Sequence, residues 1–312
     1  MTPRFSRCAG AATLGTALLL TLSACAGTPQ AASPPAAATA STTVTPPPPE
    51  PSATAATTTP SGHAEPMELS VSHIHAAVRD PQTGELLLAT HEGLYRQHGD
   101  DLTQVGPVID LMGFAVAADG TLYASGHPSA GAGLPEPVGL ITSTDGGATW
   151  QVASRGGESD FHALTVGPVT VVGFDGALRS TTDRQTWTTG DLNLPVIGLA
   201  ASPETGILLA TTQAGLLRST DDGVSWETLS PPEAAVLVAW ADDETVVALT
   251  VTGRLAVSED GGRTWTQGPR SIGASTLWAE RGANGVVEVI AVVDGTVIAT
   301  TDQGSSVQVL AG

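Results

Sequence analysis

Histidine is the residue type whose placement in this chain most suggests chemistry. Seven occur. His63 stands in a Pro/Thr-rich stretch and His98 beside a Gly-Asp-Asp turn, so both are set aside. The other five, His73, His75, His91, His127 and His162, fall at related places in short β-rich runs. Aligning those runs gives HIHA at 73–76, DLMG at 110–113, DFHA at 160–163 and PVIG at 195–198. His75, Met112, His162 and Ile197 then form one row. His73, Asp110 and Asp160 form a second, two residues earlier, which strand alternation puts on the same side. His91 and His127 end the runs that follow, in LLLATHEG and LYASGHPS.

Imidazoles bind transition metals, and the Met112 thioether would add a soft donor. Asp110 and Asp160 would ligate, or would orient the rings from behind. The set suits copper, or zinc if Met112 stands aside. Without a metal, the same residues would hold an organic ligand or a glycan, or serve as general acids and bases. One His on a strand is ordinarily packed and hydrogen-bonded. The argument rests on five at related places.

What would gather them is a repeat. STDGGATW at 143–150, STDDGVSW at 219–226 and SEDGGRTW at 258–265 are near-copies, flanked by worn copies STTDRQTW at 180–187 and TTDQGSSV at 300–307. Their last residues, Trp150, Trp187, Trp226, Trp265 and Val307, lie 37, 39, 39 and 42 residues apart. A period near 40 marks a propeller or solenoid. Residues 67–312 accommodate about six such units, each with four short β-rich runs, as a four-stranded propeller blade requires. The fourth unit reads as strands at 195–201, 206–212, 216–219 and 225–229, the first as 73–79, 85–90, 94–97 and 102–105, and the last as 275–280, 286–292, 296–300 and 306–310. The expectation is an all-β, six-bladed β-propeller. Inner-strand entries and second-strand exits share one face of a propeller, opposite the repeated turns, so all five histidines, with Asp110 and Asp160, should meet at one mouth of the channel. The Gly/Pro-rich insertion at 128–138 falls on that face, as a surface loop or a lid. Trp240 and Trp278, on inner strands, are expected in the core.

The phrase Ser-x-Asp-x-Gly-x-Thr-Trp resembles the Asp-box of bacterial neuraminidase (BNR) repeats, over about four fifths of the chain. The resemblance implies a sialidase-like propeller, some of whose members are labelled glycosyl hydrolases while others bind or assemble proteins. In the family the Asp-boxes lie away from the active face. Asp145, Asp221, Asp260 and Asp302 are thus expected to cap hairpins by accepting backbone N–H bonds, and Trp150, Trp187, Trp226 and Trp265 to pin them on apolar surface. Sialidase chemistry needs three Arg on the substrate carboxylate, a Tyr–Glu nucleophile pair and an acid Asp. Here the tyrosines are Tyr95 and Tyr123 alone, neither in the later blades where the family places its nucleophile. Arg96, Arg179 and Arg218 sit at matching repeat positions, and Arg79 is expected on the wrong rim. No catalytic residue is assigned, and no acid pair for another glycosidase stands out.

The N-terminus carries a different signal. Arg4 and Arg7 precede an apolar run at 11–22, followed by Leu-Ser-Ala-Cys. This is the layout of an export signal, and the run is short for a membrane span. The Cys resembles a bacterial lipobox, which implies a signal peptide at 1–24, an acylated Cys25 and anchoring on the extracytoplasmic side of the cell membrane. Residues 25–66, rich in Ala, Pro, Thr and Ser, read as a disordered tether. Cys8 and Cys25 are the only cysteines, so processing leaves no disulfide. All 12 basic residues are Arg, against 31 acidic ones. That excess argues against nucleic acid and weakly favours cations. The sequence therefore points to a lipid-anchored, monomeric propeller with a small ligand, glycan or metal ion at a His-rich mouth. A sialidase-like hydrolase and a protein-interaction scaffold remain the alternatives.

Overall fold

In the computed structural model, residues 71–99 and 101–312 are described. The expected signal peptide, Cys25 and the tether lie outside them. The described residues fold as 24 strands in six four-stranded antiparallel sheets, each an up-and-down meander. The sheets stand in a ring as the blades of a six-bladed β-propeller. The first blade comprises Ile74–Arg79, Leu86–Thr90, Gly93–His98 and Asp101–Val105. The fourth comprises Val196–Ala201, Leu208–Thr212, Gly215–Ser219 and Glu227–Leu229, and the sixth Thr276–Arg281, Val287–Val293, Thr296–Thr300 and Gln308–Ala311. These lie within two residues of the strands read from sequence. Among the described residues no helix is long and apolar enough to cross a membrane.

The apolar runs explain why blades stack into a ring. A second strand such as Leu86–Thr90 is buried along its whole length, because it faces a neighbouring blade on each side. Alternation divides its residues between two seams. Leu86 and Leu88 pack with Ile290, Val292 and Val297 of the sixth blade. Leu87 and Ala89 pack with Ile109, Leu122 and Ile141 of the second. The fourth blade repeats the device, with Leu208 and Ala210 turned to the third blade and Leu209 to the fifth. Six apolar clusters result, one at each seam. Trp240 belongs to such a cluster and is buried, whereas Trp278 is half-buried and also borders the central channel.

The ring closes without a shared strand. The first blade comes entirely from the start of the described chain and the sixth entirely from its end. The closing seam is held by apolar packing and by Arg79, whose Nε and Nη2 each lie 2.9 Å from a carboxylate oxygen of Glu288. This pair stands at the end of the innermost strands away from the histidines, the rim on which sequence placed Arg79. Arg281 makes the corresponding bridge from the sixth blade to Asp242 and Thr245 of the fifth.

The repeated turns join third to fourth strands on that same rim. Ser143 Oγ donates to Asp145 Oδ1 at 2.7 Å and accepts from Gly147 N–H at 2.9 Å. Asp145 accepts from Thr149 N–H at 3.0 Å and from Thr149 Oγ1 at 2.6 Å. The network recurs at Asp221, Asp260 and Asp302. Gly147 has φ 96°, a conformation that favours glycine, and a Cβ there would stand 2.1 Å from Leu94 Cδ2, so any larger residue would also have to displace the buried Leu94 side chain. The third blade departs from the reading by sequence. Its turn is one residue shorter, and Asp183, paired with Thr181, takes the capping role. Trp150, Trp187, Trp226 and Trp265 pack at the seams with the preceding blades, while Val307 in the sixth blade is exposed. A groove of about 430 Å³, lined by Ile272, Ile298, Gly304 and Val307, lies beside it.

Hydrogen bonds from Thr149 and Ser225 hold the Asp145 and Asp221 carboxyls down to about 2. A depressed carboxyl contributes stability above its unfolded value near 3.8, and that contribution disappears as pH falls through the folded value. The contribution of these two carboxyls to the melting temperature should therefore hold down to about pH 4 and fall between about pH 4 and 2; an Asp145→Asn/Asp221→Asn variant should show a shallower acid limb in calorimetry. Val307→Trp, set over the open groove, should raise the melting temperature by a few degrees, equivalent to about 1 kcal/mol. Leu87→Ala should lower unfolding free energy by about 2–5 kcal/mol, measured by urea titration.

Candidate functional site

The histidines lie on the face opposite the repeated turns, around one mouth of the central channel. His75, Met112 and His162 line that channel, a space of about 1040 Å³ walled by the innermost strands of all six blades. Two groups are resolved at the mouth, and they are linked.

The first group belongs to the first blade and the start of the second. The His73, His75 and His91 ring centroids are 4.7–5.3 Å apart. His75 Nε2 lies 3.1 Å from Asp110 Oδ1, and His91 Nε2 lies 3.7 Å from Asp110 Oδ2. One donor atom from each of His75, His91 and Asp110 falls within 4.8 Å of the other two. The second group spans the second and third blades. Asp160 Oδ2 lies 2.6 Å from His162 Nε2 and 3.2 Å from His127 Nε2. His127 Nδ1 meets the Glu136 carboxylate. Asp110 and His127 are direct cross-strand partners, which sets the two groups side by side.

The backbone explains the convergence, and it corrects one step of the sequence argument. Regular alternation does not aim the row of His75. Its strand carries a β-bulge there, between the pairs Ile74↔Thr90 and Ala76↔Ala89. Bulges recur in the second blade, between Asp110 and Gly113, in the fourth at Ile197 and in the fifth at Val236. A bulge inserts an extra residue and re-aims side chains. His73 precedes its strand and is tied to it by the bond from His91 N–H to His73 C=O. In the second blade the bulge leaves no room opposite: a Cβ on Gly126 would stand 1.9 Å from the Asp110 carbonyl oxygen. Glycine directly before His127 is thus dictated by backbone contact. In the third blade the innermost strand begins at Ala163, so His162 stands in the entry segment.

Glu136 was not among the residues singled out from sequence. It belongs to the 128–138 insertion, which returns to the sheet through the bond from Val138 N–H to Gly126 C=O. The insertion contributes a carboxylate to the mouth. The available signal was a lone acid in a Gly/Pro-rich loop on the histidine face.

Electrostatics separate the two groups. Burial pushes the His75 imidazole below its ordinary value, although Asp110 pulls the other way, and the neighbouring His73 and His91 add to the depression. His127 is raised, chiefly by its bond to Glu136 and further by Asp160. His75 is therefore a neutral, electron-pair-donating ring near neutral pH, as metal coordination requires. The arginines considered for a sialidase clamp are engaged elsewhere: Arg96 with Asp80 and Glu85, Arg179 with Asp175, and Arg218 with Glu227.

No protein-family model matches this chain, and no curated protein matches it. Solved structures do resemble it. The "extracellular domain of the putative hybrid two component system" from B. thetaiotaomicron aligns at 14% identity and TM-score 0.55, over 78% of this chain and 34% of that one. A structure described as a "putative gluconolactonase" aligns at 14% identity and TM-score 0.54, over 78% and 91%. The WD40 repeats of RRP9 align at 11% identity and TM-score 0.51, over 76% and 79%. The chain thus spans about a third of the first of these. At such identities the likeness concerns the fold.

In metal-free protein, the His75 ring proton signals should titrate below 6.5 and those of His127 above it, read by NMR between pH 4 and 9. Glu136→Gln should lower the His127 midpoint while leaving that of His75 in place.

Proposed function

We propose that this chain is an exported, lipid-anchored propeller of the Asp-box type that binds a divalent transition metal, zinc or copper, at its histidine mouth. The observation that carries the reading is the meeting of His75, His91 and Asp110 donors within 4.8 Å, with the His73 ring beside them. Imidazole and carboxylate together suit zinc and copper. Both oxygens of Asp110 face imidazole nitrogens, so the carboxylate either ligates or fixes the rings from behind. An acidic chain, with 31 Asp and Glu against 12 Arg, raises the local concentration of cations.

The export signal and Cys25 support a location outside the cytoplasm, and the extracellular domain from B. thetaiotaomicron shares the fold. The hydrogen-bonded turns at Asp145, Asp221, Asp260 and Asp302 support the Asp-box reading, and their bonds hold hairpins together on the far rim. A sialidase-like hydrolase lacks such support, because the candidate clamp arginines are paired within their own blades.

At a hundredfold excess over Kd, zinc or copper should stabilise the full chain by about 2.7 kcal/mol, seen as a rise of several degrees in melting temperature. His75→Ala/His91→Ala should lose zinc at this site. Absence of both metal retention and a thermal shift would refute the reading. In cells, labelled palmitate should enter the wild-type chain, and Cys25→Ala should abolish the label and release the protein from membranes.

A further inference from the structure

We propose that the groove beside Val307, on the rim of the repeated turns, is a docking slot for a tryptophan side chain presented by another protein. The inference is independent of the metal-binding reading above.

What fills the same place elsewhere in the ring carries the argument. In the second to fifth blades the residue just ahead of the fourth strand is Trp150, Trp187, Trp226 or Trp265, packed at the seam with the preceding blade. The fourth and fifth blades show the seat in most detail. A Cβ on Gly223 or Gly262 would meet an apolar side chain of the preceding blade, Leu178 or Leu229, and the Cζ2 edge of the blade's own indole. The indole Nε1 donates to the carbonyl oxygen of that same glycine, at 3.1 Å from Trp226 and 3.0 Å from Trp265.

The sixth blade keeps this seat and changes its occupant. Asp302 caps the turn in the same way, and a Cβ on Gly304 would meet Ile272 and Leu255 of the preceding blade. The residue ahead of the fourth strand is Val307, which is exposed and whose side chain has no donor for the Gly304 carbonyl. What remains is the groove of about 430 Å³ walled by Ile272, Ile298 and Gly304. Clefts that hold small ligands span roughly 300–1,000 Å³, so an indole fits. Tryptophan combines a large apolar surface with one N–H that needs a partner, and the slot offers apolar walls and a carbonyl. It is also a residue type that anchors interfaces by filling pockets.

The chain does not supply this ring itself. All six tryptophans lie within the described residues, and each is buried or half-buried in the propeller. Neither the N-terminal residues nor a second copy brings a free indole. The occupant is therefore a segment of a different protein, and 31 acidic residues against 12 Arg favour a segment carrying Lys or Arg.

The test titrates the full-length chain with a pentapeptide that has tryptophan between two lysines and glycine at each end, read by NMR of the Ile272, Ile298 and Val307 methyl groups. Wild type should show saturable shifts at these methyls. The same peptide with leucine for tryptophan should bind about tenfold more weakly, having lost ring area and one hydrogen bond. Val307→Trp, which seats its own indole, should abolish saturation, and Ile272→Asn should weaken binding, with near-ultraviolet dichroism confirming both folds. His75→Ala/His91→Ala should bind the peptide as wild type does. No saturable shift in wild type, equal affinity for the leucine peptide, or saturation that survives Val307→Trp overturns the slot. Binding of N-acetyltryptophanamide without binding of the peptide also overturns it, in favour of a small-molecule site. Loss of peptide binding in His75→Ala/His91→Ala would put the peptide at the histidine mouth and overturn it too.

Discussion

Apolar packing between neighbouring blades is the constraint from which the rest of this molecule follows. Each sheet is only four strands wide and cannot bury two apolar faces alone. Leu86, Leu87, Leu88 and Ala89 turn to opposite sides in alternation, and each side needs a different partner blade. A stack with open ends would expose one such face at each end. A ring removes the ends. Side-chain packing and the Arg79–Glu288 pair bring the sixth blade to the first, with no strand lent across the seam. The convergence of the histidines is a by-product of that closure. Residues scattered along the sequence come to one mouth because every innermost strand enters from the same face.

The histidine groups and the repeated turns occupy opposite rims. The repeated turns carry the most regular phrase in the sequence, yet their carboxylates are consumed by hydrogen bonds to their own hairpins. The histidine rim has no repeated phrase. It has repeated backbone places instead, an entry, a bulge and an exit, at which side chains differ from blade to blade. At the bulge row the second, fourth and fifth blades carry Met112, Ile197 and Val236. The histidines at the mouth all come from the first three blades.

The fold was legible in the sequence because the spacing of Trp150, Trp187, Trp226 and Trp265 records the blade period directly, and the strands of the first, fourth and sixth blades follow from it. Grouping of the histidines was legible too, once strand entries and exits were assigned to one face. Its fine geometry was not. The bulge at His75 leaves no trace in hydrophobic pattern, since one extra residue looks like ordinary alternation continued. Asp183 was passed over because alignment on Trp187 hides a one-residue deletion in its turn. Glu136 escaped because its place depends on how an insertion folds back, which no periodicity encodes. Met112 lines the channel as its row implied.

Closure without an exchanged strand also bears on how such a chain is built and rebuilt. Every blade is a contiguous segment of about 40 residues, so duplicating or deleting one unit leaves no orphan strand behind. New termini cut into a loop between blades would likewise leave six whole sheets. The gene can therefore gain a blade, lose one or be circularly permuted in modular steps, and a pair of residues spanning one seam can be inherited at the next.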